Sequence, residues 1–479
     1  MAGVLEGVRV IDFGQYIAGP LVGMILADQG ADVVRVEPPG GPRWNTPANA
    51  IWNRGKRSVV LDLKQADELK IAQQLIKTSD VLVENFRPDV MDRLGLGAEA
   101  MTETNPGLIY CSMPGFAADD PRSGVRAWEG VVGAATWTYR LSLEGPDPVQ
   151  PIYTAIPIAS SYAAFISSVS IGMSLIAREK HGVGQRIVVP LFDAMFPAMG
   201  SRVMMLHDQA RIAPRGSTIT WTRTFECKDG RWVQYHSGNL RFPQFLEAAG
   251  ASVWDELAPA ERQHRMEELF KTRTAQEWED LATAAGSEAA VCRTSAEWLT
   301  HPHAWESKMI IHVEDPELGK MVQPGISARL SSTPGAVRGP APQINAHRTE
   351  LLAELGSLES VSSGSSPVEK LPPVLEGIKV LDLCIVLAGP TCGRTLAEFG
   401  ADVIKIDSPN RARVSFHNEI NRAKRSIVLD LKTEAGLDVF WRLLDDADVV
   451  VQNFRKDVVE RLGIGYEQVH QRKPDIIYV

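Results

Sequence analysis

Residues 4–37 read VLEGVRVIDFGQYIAGPLVGMILADQGADVVRVE, and the fold class turns on them. VRVIDF, rich in β-branched residues, reads as a strand. The loop DFGQYIAGP follows. Pro20 to Gln29 then reads as a helix, with Pro in its first turn and Gly30 just past its end. ADVVRVE reads as a second strand. A strand, a helix and a strand in this order form the unit of a parallel sheet.

The rhythm continues outward through a strand at SVVLDL, a helix at ADELKIAQQLIKTS and strands at DVLVENF and GLIYCSM. The fold class predicted is α/β, a Rossmann-like large domain with a largely parallel sheet. Ligands of such sheets sit beyond the C-terminal strand ends, which points to the loops after Phe13, Glu37, Asn85 and Met113. Residues 221–320 differ in character. WTRTFECKDGRWVQYHSG reads as a β-hairpin with DG at its turn, and ERQHRMEELFKTRTAQEWEDLATAAG as helix, together a smaller α+β domain. The Pro-rich stretch 324–342 is predicted to run back, extended, toward the large domain.

The early part of the chain is then written again. NRGKRSVVLDLK (53–64) recurs as NRAKRSIVLDLK (421–432) with ten of twelve residues identical. VLEGVRVIDF recurs as VLEGIKVLDL (374–383), GADVVRVE as GADVIKID (400–407), and DVLVENFRPDVMDRLGLG (80–97) as DVVVQNFRKDVVERLGIG (448–465). A period near 370 residues is far too long for a solenoid and reads as two fused copies, the second matching only to about Tyr110 of the first. The predicted divisions are a large domain at 1–215, a small domain at 216–323, a return segment at 324–357, a Ser/Gly/Pro linker at 358–370 and the start of a second Rossmann-like copy at 371–479.

The net charge of −9 argues against a nucleic-acid partner. No apolar run is read as approaching the roughly 18 residues that a membrane-spanning helix needs, so no membrane partner is expected, and the N-terminus lacks a signal-peptide layout. Five scattered cysteines form neither a metal motif nor a disulfide pattern. GxGxxG, P-loop and GxSxG signatures are absent. A cytoplasmic protein with no tightly bound cofactor is the reading. Lys56, Arg57, Lys64, Arg87, Arg93 and Arg126 fall near strand ends or turns, where paired N–H donors suit a phosphate-bearing ligand.

These motifs, with NPGLIYCSMPGF, REKHGVGQRIVVPLFDA and PAPQINAHRTELLAELG, resemble the class III CoA-transferases (CaiB/BaiF type), which include formyl-CoA and carnitine CoA-transferases and acyl-CoA racemases. The resemblance implies an acyl-CoA:carboxylate CoA-transferase acting on acyl-CoA and a small carboxylic acid. It implies a homodimer of interlocked rings or, with two copies on one chain, an internal pseudo-dimer. By residue matching, coenzyme A would meet Lys64, Asn85, Phe86, Arg93 and Arg126 in the first copy, and Lys432, Asn453, Phe454 and Arg461 in the second. Where relatives carry Gln this chain has Ile17 and Leu387, and Pro38 and Ser408 replace an Arg. The family's aspartate nucleophile aligns with Ser160, so the first copy is expected to be catalytically inactive. The 368-residue offset carries that position to 528, beyond residue 479, where the Asp is expected. The alternatives are a non-catalytic structural half, an acyl-CoA racemase, disfavoured because Trp128 stands at the racemase histidine position, or a CoA-transferase/lyase. Tandem relatives of that last kind act on dimethylsulfoniopropionate, a substrate the sequence does not independently support.

Overall fold

The structure is a computed structural model that describes residues 3–44, 46–136, 138–139, 153–199, 221–237, 241–251, 254, 257, 259–356, 371–410 and 417–479. The expected boundary at 215 and the linker at 358–370 lie outside these residues. The chain folds as two compact units, Met1–Met204 with His312–Val479, and Met205–Ile311.

In the larger unit, the first sheet comprises β1 (Arg9–Asp12), β2 (Asp32–Glu37), β3 (Arg57–Val60), β4 (Val81–Glu84), β5 (Ile109–Ser112) and β6 (Arg186–Val188). Their order is β3-β2-β1-β4-β5-β6, every pair parallel. Alternate side chains point to opposite faces. Val10, Val33, Val83 and Ile109 therefore form one core, with helices Ala18–Asp28 and Ile158–His181. Ile11, Val34, Leu82 and Tyr110 form the other, with helices Ala66–Lys77 and Arg348–Leu355. Coverage of both faces explains why these strands read as near-continuous apolar runs. Strand order reverses between β1 and β4, which opens a crevice at their C-terminal ends.

In the smaller unit β7 (Trp221–Glu226) and β8 (Trp232–Ser237) form the expected antiparallel hairpin, with Gly230 at φ +72° in its turn. β9 (Glu288–Val291) adds to β8, a pairing the sequence reading missed. Phe245, Phe270 and Trp278 centre this unit's core. A further hairpin, β10 (Ile310–Asp315) and β11 (Gly319–Pro324), belongs from His312 onward to the larger unit and was also not foreseen. Beyond it the chain runs extended and touches the first sheet's surroundings, where Ala336 donates to the Asp28 carbonyl (2.9 Å) and Gly55 to that of Pro340 (3.1 Å).

A second parallel sheet follows, of β12 (Lys379–Asp382), β13 (Asp402–Asp407), β14 (Arg425–Val428), β15 (Val449–Val451) and β16 (Ile477–Tyr478), in the order β14-β13-β12-β15-β16. This is the order of the first sheet without its sixth strand. The α/β class and both Rossmann-like sheets agree with the sequence reading.

Ile158–His181 corrects the expectation that no apolar run is long enough, since by length and composition alone it could cross a membrane. Its apolarity has a local reason. Ala159, Ala163, Ala164 and Ile171 are fully buried in the first sheet's core, and Met173, on another face, packs on the second sheet's cluster around Val380, Val403 and Val451.

Candidate functional site

A cleft of about 1270 Å³ opens at the C-terminal ends of the first five strands. One wall is built from Gln15 and Tyr16 after β1, Pro38 after β2, Lys64 after β3, Asn85 and Phe86 after β4, and Met113 after β5. Arg126 to Glu129, Tyr153 and Ser160 form another part of the lining.

The β1 loop is held by a buried charge cluster. Asp12 is fully buried and accepts from Lys56 Nζ (2.8 Å) and Arg35 Nη1 (3.3 Å). Its Oδ1 also accepts the Gly14 N–H (2.7 Å), folding the loop back on itself. A Cβ at Gly14 would lie 2.6 Å from Gly19 Cα, so the turn excludes a side chain there. Burial works against the Asp12 charge, but Lys56 and Arg35 outweigh it and hold the carboxyl below its usual range. Burial draws Lys56 down to about 8, opposed by Asp12. Lys56 Nζ also donates to Pro20 O (2.8 Å) and Asn53 Oδ1 (3.0 Å), so all three of its protons are committed. The second sheet repeats the cluster: Lys424 Nζ meets Asp382 (2.6 Å), Pro390 O (2.7 Å) and Asn421 Oδ1 (3.1 Å).

Two cations expected to hold a ligand are thus structural. Lys56 is internal, and Arg57 pairs with Asp32, Glu350 and Glu354. Lys64, Asn85, Phe86 and Arg126 do line the cleft, Lys64 and Arg126 as exposed side chains. Asn85 has a further task. Its Oδ1 accepts the Gln15 N–H (2.6 Å) and its Nδ2 donates to the Gln15 carbonyl (2.8 Å), pinning the loop beside Tyr16, which sits at φ 60°. Asn453 grips Ile385 in the same way, beside Val386 at φ 67°. Arg93 is exposed and lies outside the lining residues. Lys432, Asn453 and Arg461, exposed, and Phe454, half-buried, stand on the second sheet's loops and take no part in this cleft. Arg87, also in the lining, donates to Gly124 O (2.9 Å). Ile17 and Pro38 line the cleft without offering a polar side-chain group.

Ser160 is buried in the first turn of Ile158–His181. Beside it lies a carboxylate that sequence reasoning missed. Glu129 Oε1 accepts the Ala159 N–H (3.0 Å) and Oε2 the Ser160 N–H (2.8 Å), capping the helix from a separate segment. Its partners are 30 and 31 positions away, and no local motif joins them. Behind Asn85, buried Glu84 accepts the Phe86 N–H (2.8 Å), and burial pushes its carboxyl up to about 7. Gln452 makes the same bond to Phe454 (2.9 Å) with a neutral amide.

A doubly wound α/β protein with a cleft at its switch point, rimmed by cations, is of the class that binds its ligands at that end of the sheet. The chain belongs to CoA-transferase family III, whose pattern it matches over residues 5–348 and 375–479. It is 31% identical over 549 aligned positions to the CoA-transferase/lyase DddD of Marinomonas sp. (strain MWYL1), covering 99% of this chain and 65% of that protein. This chain therefore spans less than two-thirds of that relative's length. Succinyl-CoA--D-citramalate CoA-transferase of Chloroflexus aurantiacus is 29% identical over 378 positions, covering 73% of this chain and 94% of its own. The crystal structure of Rv3272 from Mycobacterium tuberculosis superposes with a TM-score of 0.64 at 25% identity, over 73% of this chain and 99% of that one.

Proposed function

We propose that this chain serves CoA transfer between carboxylic acids, with acyl-CoA as substrate held in the first cleft and no tightly bound cofactor. The carrying observation is the continuity of that cleft from the exposed cations Lys64 and Arg126 to the start of helix Ile158–His181. Phosphates suit the cationic mouth, Phe86 offers a face for a base, and the thioester would reach Ser160.

In the reaction proposed, an aspartate oxygen attacks the thioester carbonyl, the C–S bond breaks, and CoA leaves as thiolate with a mixed anhydride behind it. The thiolate then attacks the aspartyl carbonyl, releasing the donor acid as carboxylate. An acceptor acid takes over CoA by the reverse steps. Serine at 160 does not supply that chemistry without a base, and both oxygens of Glu129 already accept backbone N–H groups. The first copy is then the binding and structural half, and the nucleophile belongs to the second copy at the position corresponding to Ser160, 528 by offset. The pairing of copies is an internal pseudo-dimer in a cytoplasmic enzyme. A lyase step is the second reading, favoured by the likeness to DddD along 99% of this chain.

Residues 1–479 should bind CoA by calorimetry yet leave acetyl-CoA:succinate exchange at the uncatalysed rate. Exchange at enzymic speed by this chain, with Ser160 intact, would overturn the division of labour. Absence of CoA binding would overturn the site.

A further inference from the structure

The two sheets differ at one edge. On the first, the chain returns and closes β3. Val60 N–H donates to Asn345 Oδ1 (2.8 Å), His347 N–H to the Ser58 carbonyl (3.1 Å), and Arg348 to the Val60 carbonyl (2.7 Å). Leu351 of the following helix is buried in the core. Glu350 and Glu354 of that helix reach Arg57 at 3.1 and 2.5 Å, leaving the Arg57 side chain 17% exposed.

β14 carries the same Arg, Ser and closing Val, with Ile427 for Val59, without the cover. Arg425 is 66% exposed and pairs with Asp402 alone among the described residues. Ser426 is exposed where Ser58 is buried, and Val428 is 61% exposed. Among the described residues no hydrogen bond reaches Ser426 or Val428 from outside the sheet. An uncovered edge strand is a template for pairing, and this one keeps the arginine that draws two glutamates on the first sheet.

We infer that the outer edge of β14 is a docking site for an acidic amphipathic helix preceded by an Asn-x-His turn, a segment of the chemistry of residues 343–356. The turn satisfies the outward backbone groups of Ser426 and Val428. Two carboxylates one helical turn apart clasp Arg425, and a leucine between them enters the groove toward helix Glu434–Asp445. One contact differs between the sites. Glu68 meets Arg348 at 2.6 Å on the first sheet, but Gly436 stands at the corresponding position on the second. The occupant therefore needs its glutamates more than its arginine.

The test is fluorescence anisotropy of a labelled peptide of residues 343–356 titrated with the full 479-residue chain. Saturable binding is expected, at least tenfold weaker with Arg425→Glu, and restored to that variant by a peptide carrying Glu350→Lys and Glu354→Lys. The charge-swap rescue separates lost docking from lost folding. No binding, or binding indifferent to Arg425→Glu, overturns the inference. So does concentration-dependent self-association abolished by Arg425→Glu, which would make the occupant a second copy of this chain through its own edge.

Discussion

Lys56 shows what one residue position can and cannot reveal. Its place in NRGKRS, near a strand end, suits a ligand donor, and the same pattern suits a loop anchor. Burial decides between them, because an ammonium with three internal acceptors has no proton left for a phosphate. Lys56→Ala should cost about 2–4 kcal/mol in urea denaturation, since it takes from the buried Asp12 carboxylate the nearer of its two cations and leaves Arg35 and the Gly14 N–H as partners. An Asp12→Leu/Lys56→Met double variant should recover much of that loss. Lys64 and Arg126 are the opposite case, exposed at the mouth of the cleft. Alanine at either should weaken CoA binding about three- to tenfold by calorimetry, with stability unchanged. Glu129 was illegible in the sequence because its partners come from another helix. Ser160 was placed by family likeness, but that it sits in a buried first turn emerged from packing.

At the scale of elements, β4 and its loop couple stability to pH. Glu84 is buried, and its carboxyl lies near 7 against about 4.3 in an unfolded chain. The folded state thus holds a proton that the unfolded state releases. Stability from this group is complete below about pH 4 and is lost as pH rises through 7. Glu84→Gln, which copies the amide at Gln452, should flatten that decline and leave the variant more stable than the parent by about 1–3 kcal/mol at pH 8. Urea midpoints between pH 5 and 8 check this. The strands themselves were legible because two-sided burial leaves continuous β-branched runs. The third strand of the small sheet was not, since EAAV has little β-signal of its own and is recruited by pairing with β8.

Across the molecule, the long helix Ile158–His181 serves two sheets. Its alanine face lies on the first, while Met173 enters the cluster of the second and Lys180 Nζ donates to Val374 O (3.0 Å). Met173→Lys should loosen residues 371–479 selectively, with hydrogen exchange there rising at least tenfold while β1 to β5 stay protected. Sequence alone determined the strand–helix–strand rhythm, both parallel sheets and the repeated loop residues, because those rest on local apolar runs and turn signals. Tertiary structure alone decided which cations face the cleft, which carboxylate caps the helix beside Ser160, and which edge of the second sheet stands open. Those outcomes depend on burial and on partners tens to hundreds of residues away, and no local pattern encodes them.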